Sequence, residues 1–265
     1  IERANSLALP ADLVRATDGT LYVAATGSAK VGVLGPTGVV QARIAVGQGP
    51  TGLALNPTGR LLYVLNRFDE TVSIVDTTTR AQLATVPVGF NPEPDNIRRG
   101  RHGLYDATLS AHGDLACASC HANGHRDGIA WDLGSPQGSM QTVPNPIGAI
   151  FGFGSSVFHP MKGPMTTQSL RGIIGTEPLH WRGDRGQLAS FNPAFPSLLG
   201  GPRQLSQSEM ADFQSFIESL SYPPNPNENP DRTLPNPLTG PSAMRGSQLF
   251  NTAIFDGGIF TCNQC

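Results

Sequence analysis

Two stretches near the start of the chain are copies of one unit, and that repeat restricts the fold more than any other feature. Pro10-Ala-Asp-Leu13, followed by Asp18-Gly19-Thr-Leu21-Tyr22-Val23, lies over Pro50-Thr-Gly-Leu53, followed by Thr58-Gly59-Arg-Leu61-Leu-Tyr63-Val64. The correspondence continues from Val31-Gly-Val33 to Val72-Ser-Ile74 and from Val46-Gly47 to Val88-Gly89. A period of roughly 40 residues, filled with short β-branched runs between Gly, Asn and Asp turns, predicts four-stranded blades of a β-propeller. Residues 1–90 therefore hold about two blades. Two cannot close a ring, so further blades are expected upstream of Ile1; a small β-meander packed on the rest of the chain is the plainer alternative.

The second copy, Leu61-Leu-Tyr63-Val64-Leu-Asn66 with Thr71-Val72-Ser-Ile74-Val75-Asp76, resembles the YVTN family of bacterial β-propellers. Its tetrad is worn to YVLN, and to YVAA in the first copy.

Past Phe90 the repeat dissolves into the Pro-interrupted run FNPEPDNIRR, read as a boundary, and a different pattern begins. Gly100 to Cys117 reads as a short helix and turn leading to Cys117-Ala-Ser-Cys120-His121. Two thiols two residues apart with an imidazole directly after form the attachment sequence of a c-type haem. Each thiol adds across one porphyrin vinyl group, and the His becomes the proximal iron ligand. A structural zinc site would want a second Cys/His pair further on, and a thioredoxin-like redox pair would want a βαβ setting. Neither context is present.

The same signature starts again at Cys262-Asn-Gln-Cys265, after a short helix around Gly246–Phe250. A second haem c is expected there, its His following Cys265, so the 265 residues read as part of a longer polypeptide. Between the two, Ser206 to Leu220 is the clearest helix. Ser206 and Glu209 form a capping box, and Met210, Phe213, Ile217 and Leu220 share a face. It is expected to pack across the lead-in helix. The Gly/Pro-rich run from Gly128 to Ser156 reads as irregular loop over the porphyrin edge. The fold expected is thus multidomain: partial propeller blades over 1–90, a mainly α cytochrome c-type domain over 91–222, a Pro/Asn-rich linker over 223–240, and the start of a second haem domain over 241–265.

Composition excludes some functions. Only 14% of residues are charged and the net charge is −2, which argues against a nucleic-acid partner. No apolar run approaches the ~18 residues of a membrane span. The 31 glycines and 23 prolines point to turns and loops. Both CxxC pairs use all four cysteines, and covalent haem attachment takes place outside the bacterial cytoplasmic membrane. The expected compartment is periplasmic or extracellular.

A second axial ligand must reach the opposite porphyrin face. His125 is too close to His121 to do so and reads as a surface or propionate-facing group, while His102 and His112 read as solvated. From the residues alone His159, Met161, Met165 and His180 remain, alongside an iron left open. The pieces GRHGLYDATLSAHGDLACASCH, GPMTTQSLRG and LHWRGDRGQL occur in the order found in the bacterial di-haem cytochrome c peroxidase family, which includes the methylamine-utilisation di-haem enzymes. The stretch from Gly100 to Leu188 resembles the N-terminal domain of that family.

The resemblance implies a distal ligand shortly before Gly163-Pro164, where His159 stands. It also implies a candidate electron relay at Trp181. Arg171 and Arg182 are further candidates for holding haem propionates by paired hydrogen bonds. Two departures stand out. Thr166 replaces the family's calcium-ligating Asn, which argues against bound calcium, and no acid–base residue for peroxide is in place, since Glu209 belongs to the helix. The expectation is a di-haem c-type cytochrome passing electrons to a redox partner protein or small donor or acceptor. The alternatives are an oxidoreductase that reduces peroxide or oxidises a partner protein, and a propeller binding module with an accessory haem domain.

Overall fold

The computed structural model describes residues 3–134, 138–144, 148–149, 152, 154–161 and 163–264. Eight strands fill its N-terminal third: β1 (Pro10–Arg15), β2 (Leu21–Ala25), β3 (Lys30–Leu34), β4 (Val40–Ala45), β5 (Pro50–Leu55), β6 (Leu61–Asn66), β7 (Thr71–Asp76) and β8 (Ala81–Pro87). They form two antiparallel meanders, ordered β1-β2-β3-β4 and β5-β6-β7-β8. Each repeat copy is therefore one four-stranded sheet, consistent with a partial β-propeller. Gly19 and Gly59 take up φ of 89° and 72° in equivalent β1–β2 and β5–β6 turns, a conformation in which a Cβ would be strained.

The two sheets share a core. Val31, Val33, Leu62, Val64 and Val75 are wholly buried, joined by Tyr22 and Ile44. Burying each such side chain is worth about 1.5–3 kcal/mol. Polar bonds set the spacing between sheets: Asp12 Oδ2 accepts from the Leu53 N–H at 2.7 Å, and Thr26 Oγ1 donates to the Pro50 carbonyl at 2.7 Å.

Helix α1 (Asp95–Tyr105) begins inside the stretch expected to be a boundary, about five residues before Gly100. Pro94 precedes it with φ −56°, already suited to a helix start, and Asp95 places a carboxylate in the positive first turn. Phe68, in the β6–β7 turn, packs between sheet and helix. Its ring lies 5.3 Å from Tyr105 and 6.0 Å from His102, with the Arg101 guanidinium 5.6 Å over it. His102, expected to be solvated, is thus half-buried against Phe68 because the helix lies on the second sheet.

After the short helices α2 (Cys117–Cys120) and α3 (Ala194–Ser197), α4 (Gln207–Ser219) closes the core with Met210, Phe213, Phe216 and Ile217, against Leu104 of α1 and Phe195 of α3. Its capping box forms: the Ser206 N–H donates to Glu209 Oε2 at 2.7 Å, and the Glu209 N–H donates to Ser206 Oγ at 3.3 Å. Helices α1 and α4 meet backbone to backbone. A Cβ on Gly100 would stand 1.9 Å from the Asp212 carbonyl oxygen, and one on Gly103 2.5 Å from the Phe213 ring.

The run from Gly128 to Ser156, expected to be irregular, contributes to short paired strands. β9 (Ala130–Trp131) pairs with β12 (Met165–Thr166), and β10 (Gln141–Pro144) pairs with β11 (Ser155–Phe158). Thr142 opposite Val157 supplies a β-branched cross-strand pair that favours this. Among the described residues no helix or strand lies between Ser219 and α5 (Ala243–Thr252), as the Pro/Asn-rich composition predicts. A small hairpin of β13 (Ile254–Phe255) and β14 (Phe260–Thr261) follows. No helix among the described residues is long and apolar enough to cross a membrane.

Candidate functional site

Helix α2 is one turn, closed by the His121 N–H donating to the Cys117 carbonyl at 2.9 Å. Ser119 Oγ accepts from the Ala116 N–H at 3.0 Å and fixes the start of the turn. The turn sets Cys117, Cys120 and His121 on the wall of one cavity of ≈ 450 Å³, a size suited to a cofactor. Phe213 and Ile217 of α4 and Phe195 of α3 line it, while Trp131 and Met165 come from the paired strands β9 and β12 and Trp181 from a loop.

His121 is held from outside the motif. Its Nδ1 lies 2.9 Å from the Gln168 carbonyl oxygen, which can only accept, so Nδ1 carries the proton and Nε2 keeps its lone pair. Burial pushes the imidazole below its ordinary pKa, partly offset by that bond. Burial also pushes the Cys117 thiol up to about 11 and raises Cys120, which the Asp127 carboxylate raises further. Both are neutral thiols at neutral pH, the reverse of the lowered pKa of a redox-active CxxC. Two neutral thiols beside a neutral imidazole with a fixed tautomer, all on an apolar cavity, fit covalent porphyrin attachment with His121 as iron ligand. Among the described residues no three His, Cys, Asp or Glu side chains are grouped to hold a metal ion by themselves.

The other expected site residues divide. Met165 and His180 line the cavity. His159 and Met161 are exposed and are not among its lining; His159 Nδ1 accepts from the Met161 N–H at 3.0 Å. Trp181 lines it while 58% exposed, with its indole N–H donating to the Thr166 carbonyl at 2.7 Å. Arg171 donates to the Asn123 carbonyl. Arg182 donates to the His159 carbonyl and stacks its guanidinium 5.1 Å from the Phe158 ring. Neither arginine lines the cavity, so the structure does not bring them to it. His125 is half-buried, bonded to Ser169 and edge-on to Tyr222, and His112 is exposed. Cys262 is exposed beyond α5, and Cys265 lies outside the described residues.

Glu209 is engaged elsewhere. Arg203 grips both its oxygens at 2.7 and 2.8 Å, and this pairing, with the Ser206 N–H, holds its carboxyl down to about 2.

Sequence reasoning missed three participants. Gln168 acts through its carbonyl, which any residue would supply. Asp127 orients Trp131 by accepting its indole N–H at 2.8 Å, and Asp184 meets His180 at 2.8 Å. The i,i+4 spacing of His180 and Asp184 was legible, but in a Gly-containing loop it predicts no contact.

Fold and site together define a chain of two propeller-type blades joined to a helical segment that opens a CxxCH-walled cavity. No family model matches it, and no curated protein does. Partly similar solved structures include hydrazine synthase of Kuenenia stuttgartiensis, 28% identical over 30% of this chain and 23% of that one, with a TM-score of 0.30. They also include a streptogramin B lyase (15% identity, 31% and 27% coverage, TM-score 0.28). A third is the PQQ domain of pyranose dehydrogenase from Coprinopsis cinerea (18% identity, 33% and 24% coverage, TM-score 0.25). The chain spans about a quarter of the length of these proteins.

Proposed function

We propose that this chain is a c-type cytochrome of the di-haem peroxidase-like group that carries electrons outside the cytoplasmic membrane, with propeller-type blades as its scaffold. The observation that carries the reading is the cavity on which Cys117, Cys120 and His121 converge, with the His121 ring turned by the Gln168 carbonyl. Haem bound there supplies a one-electron redox centre. The protein's part is to anchor it through two thioethers, to offer Nε2 of a neutral imidazole, and to keep water from one side with Phe195, Phe213 and Ile217. Trp181, both exposed and lining the cavity, is the residue best placed to pass an electron to a partner at the surface. Cys262 and Cys265 would begin a second attachment site.

The N-terminal segment ahead of β1 supports the site through contacts just before the CxxCH turn. Ala8 packs with Ala107 and Ala116, and Arg3 Nε donates to the Ser110 carbonyl at 3.2 Å. The test is expression of the chain together with haem-attachment machinery. Haem stain should stay with the denatured band, vanish in the Cys117→Ala, Cys120→Ala variant, and report a centre reversibly reduced and reoxidised. A folded chain that remains colourless and binds zinc instead would overturn the reading.

A further inference from the structure

We propose that His180, held by Asp184, is the second axial ligand of the haem iron, an assignment that rests on the cytochrome reading above. His180 lines the same cavity as His121 but comes from a separate loop. That loop is pinned at its ends by a two-way backbone bridge: the Leu179 N–H donates to the Arg185 carbonyl at 2.7 Å and the Arg185 N–H returns to the Leu179 carbonyl at 3.3 Å. Within it His180 adopts φ of 72°, a left-handed conformation that a non-glycine residue keeps when its surroundings impose it.

The ring is then fixed on two sides. Nδ1 lies 2.8 Å from Asp184 Oδ1, and Phe191 meets the ring edge-on with centroids 4.6 Å apart. The Asp184 side chain is 8% exposed. A carboxylate accepts, so Nδ1 carries the proton and Nε2 is the nitrogen that can donate to a metal. A carboxylate behind an imidazole is the arrangement that orients metal-bound histidines and strengthens them as donors. His121 has the matching device with a neutral carbonyl in place of the carboxylate. The cavity thus receives two imidazoles, each with Nδ1 tied to an acceptor.

Two other side chains compete for this position. His159 is outside the cavity, and its Nδ1 accepts from a backbone N–H. Met165 does line the cavity, through a strand residue paired with Trp131, and a thioether would give a different iron spectrum.

The experiment uses the haem-loaded chain carrying Cys262→Ala and Cys265→Ala, so that one haem reports. The expected ferric protein is low-spin, with the electron paramagnetic resonance of two imidazoles and no sulfur-to-iron band in the near infrared. His180→Ala should lose that signal, becoming high-spin or gaining the thioether band from Met165, and added imidazole should restore a low-spin form. Asp184→Asn should stay low-spin while its midpoint potential rises, a shift that a packing role alone would not produce.

A wild-type thioether band abolished by Met165→Ala would overturn the assignment, as would loss of the two-imidazole signal in His159→Ala or its persistence in His180→Ala. Should His180→Ala fail to fold, the wild-type, Met165→Ala and His159→Ala spectra still decide between the ligands. A folded chain that takes up no haem overturns the cytochrome reading itself, and the ligand with it.

Discussion

The imidazole Nδ1 of His121 lies 2.9 Å from the carbonyl oxygen of Gln168, 47 positions along the chain. That bond joins the short Cys117–Cys120 helix to the strand-and-loop segment beyond β12. It ties the rotation of one ring to the placement of a backbone that also carries Met165 and leads to His180. The cavity wall is therefore assembled by a contact in which only the imidazole is specified by side-chain identity.

His121 and the two cysteines have separable tasks. His121→Ala should keep haem stain on the denatured band, because the thioethers remain, while the low-spin spectrum is lost. Comparing stained gels with absorption spectra of the same preparation checks this.

The α1–α4 crossing is expected to be intolerant of any side chain at its centre. Gly100→Ala would drive a methyl into the Asp212 carbonyl, where backbone on both sides must move, and should cost about 3 kcal/mol in urea unfolding. Gly246→Ala is the control. It lies within α5 with nothing within 4 Å of its Cβ position and should gain about 0.5–1 kcal/mol.

Phe68 couples the second blade to α1. It is 6% exposed and touches Tyr105, His102 and Arg101, while Gly49 leaves room for its ring. Phe68→Ala should cost about 3 kcal/mol. Hydrogen exchange should show the loss in α1 as well as in β6 and β7.

The Arg203–Glu209 pair contributes a pH-dependent increment. Glu209 titrates near 2 when folded and near 4.5 when unfolded, so the unfolded chain binds more protons between these values and stability falls as pH drops through them. The pair is half-exposed and screened, which limits the contribution to about 0.5–1 kcal/mol. Wild type should exceed Glu209→Gln by that amount at neutral pH, and the difference should fade toward pH 2.

Peroxide turnover is expected to be absent. Glu209 is committed to Arg203 and the start of α4, and a ligating His180 would close the iron. In stopped-flow mixing with hydrogen peroxide the reduced chain should reoxidise without repeated turnover. Rapid multiple turnover lost in Trp181→Phe would restore the peroxidase alternative.

Much of the architecture was already present in the chain's order of residues. The two sheets follow the repeat because alternation of apolar residues and turn glycines is a local property, and α4 follows its capping box and apolar face for the same reason. The CxxCH turn needs five consecutive residues and no distant partner.

Tertiary structure decided the rest. Which glycines must be glycines depends on Asp212 and Phe213 arriving over α1, and the early start of α1 matters because it lays His102 on Phe68. The family resemblance pointed to His159 ahead of Gly163-Pro164, yet His159 is exposed and not part of the cavity lining, while His180, inside the Leu179–Arg185 bridge, does line it. A side chain's direction depends on the backbone that carries it and on what blocks the other rotamers. For His180 those constraints are the Leu179–Arg185 bridge, Asp184 and Phe191, and the conformation that brings them onto one ring is not specified by spacing alone.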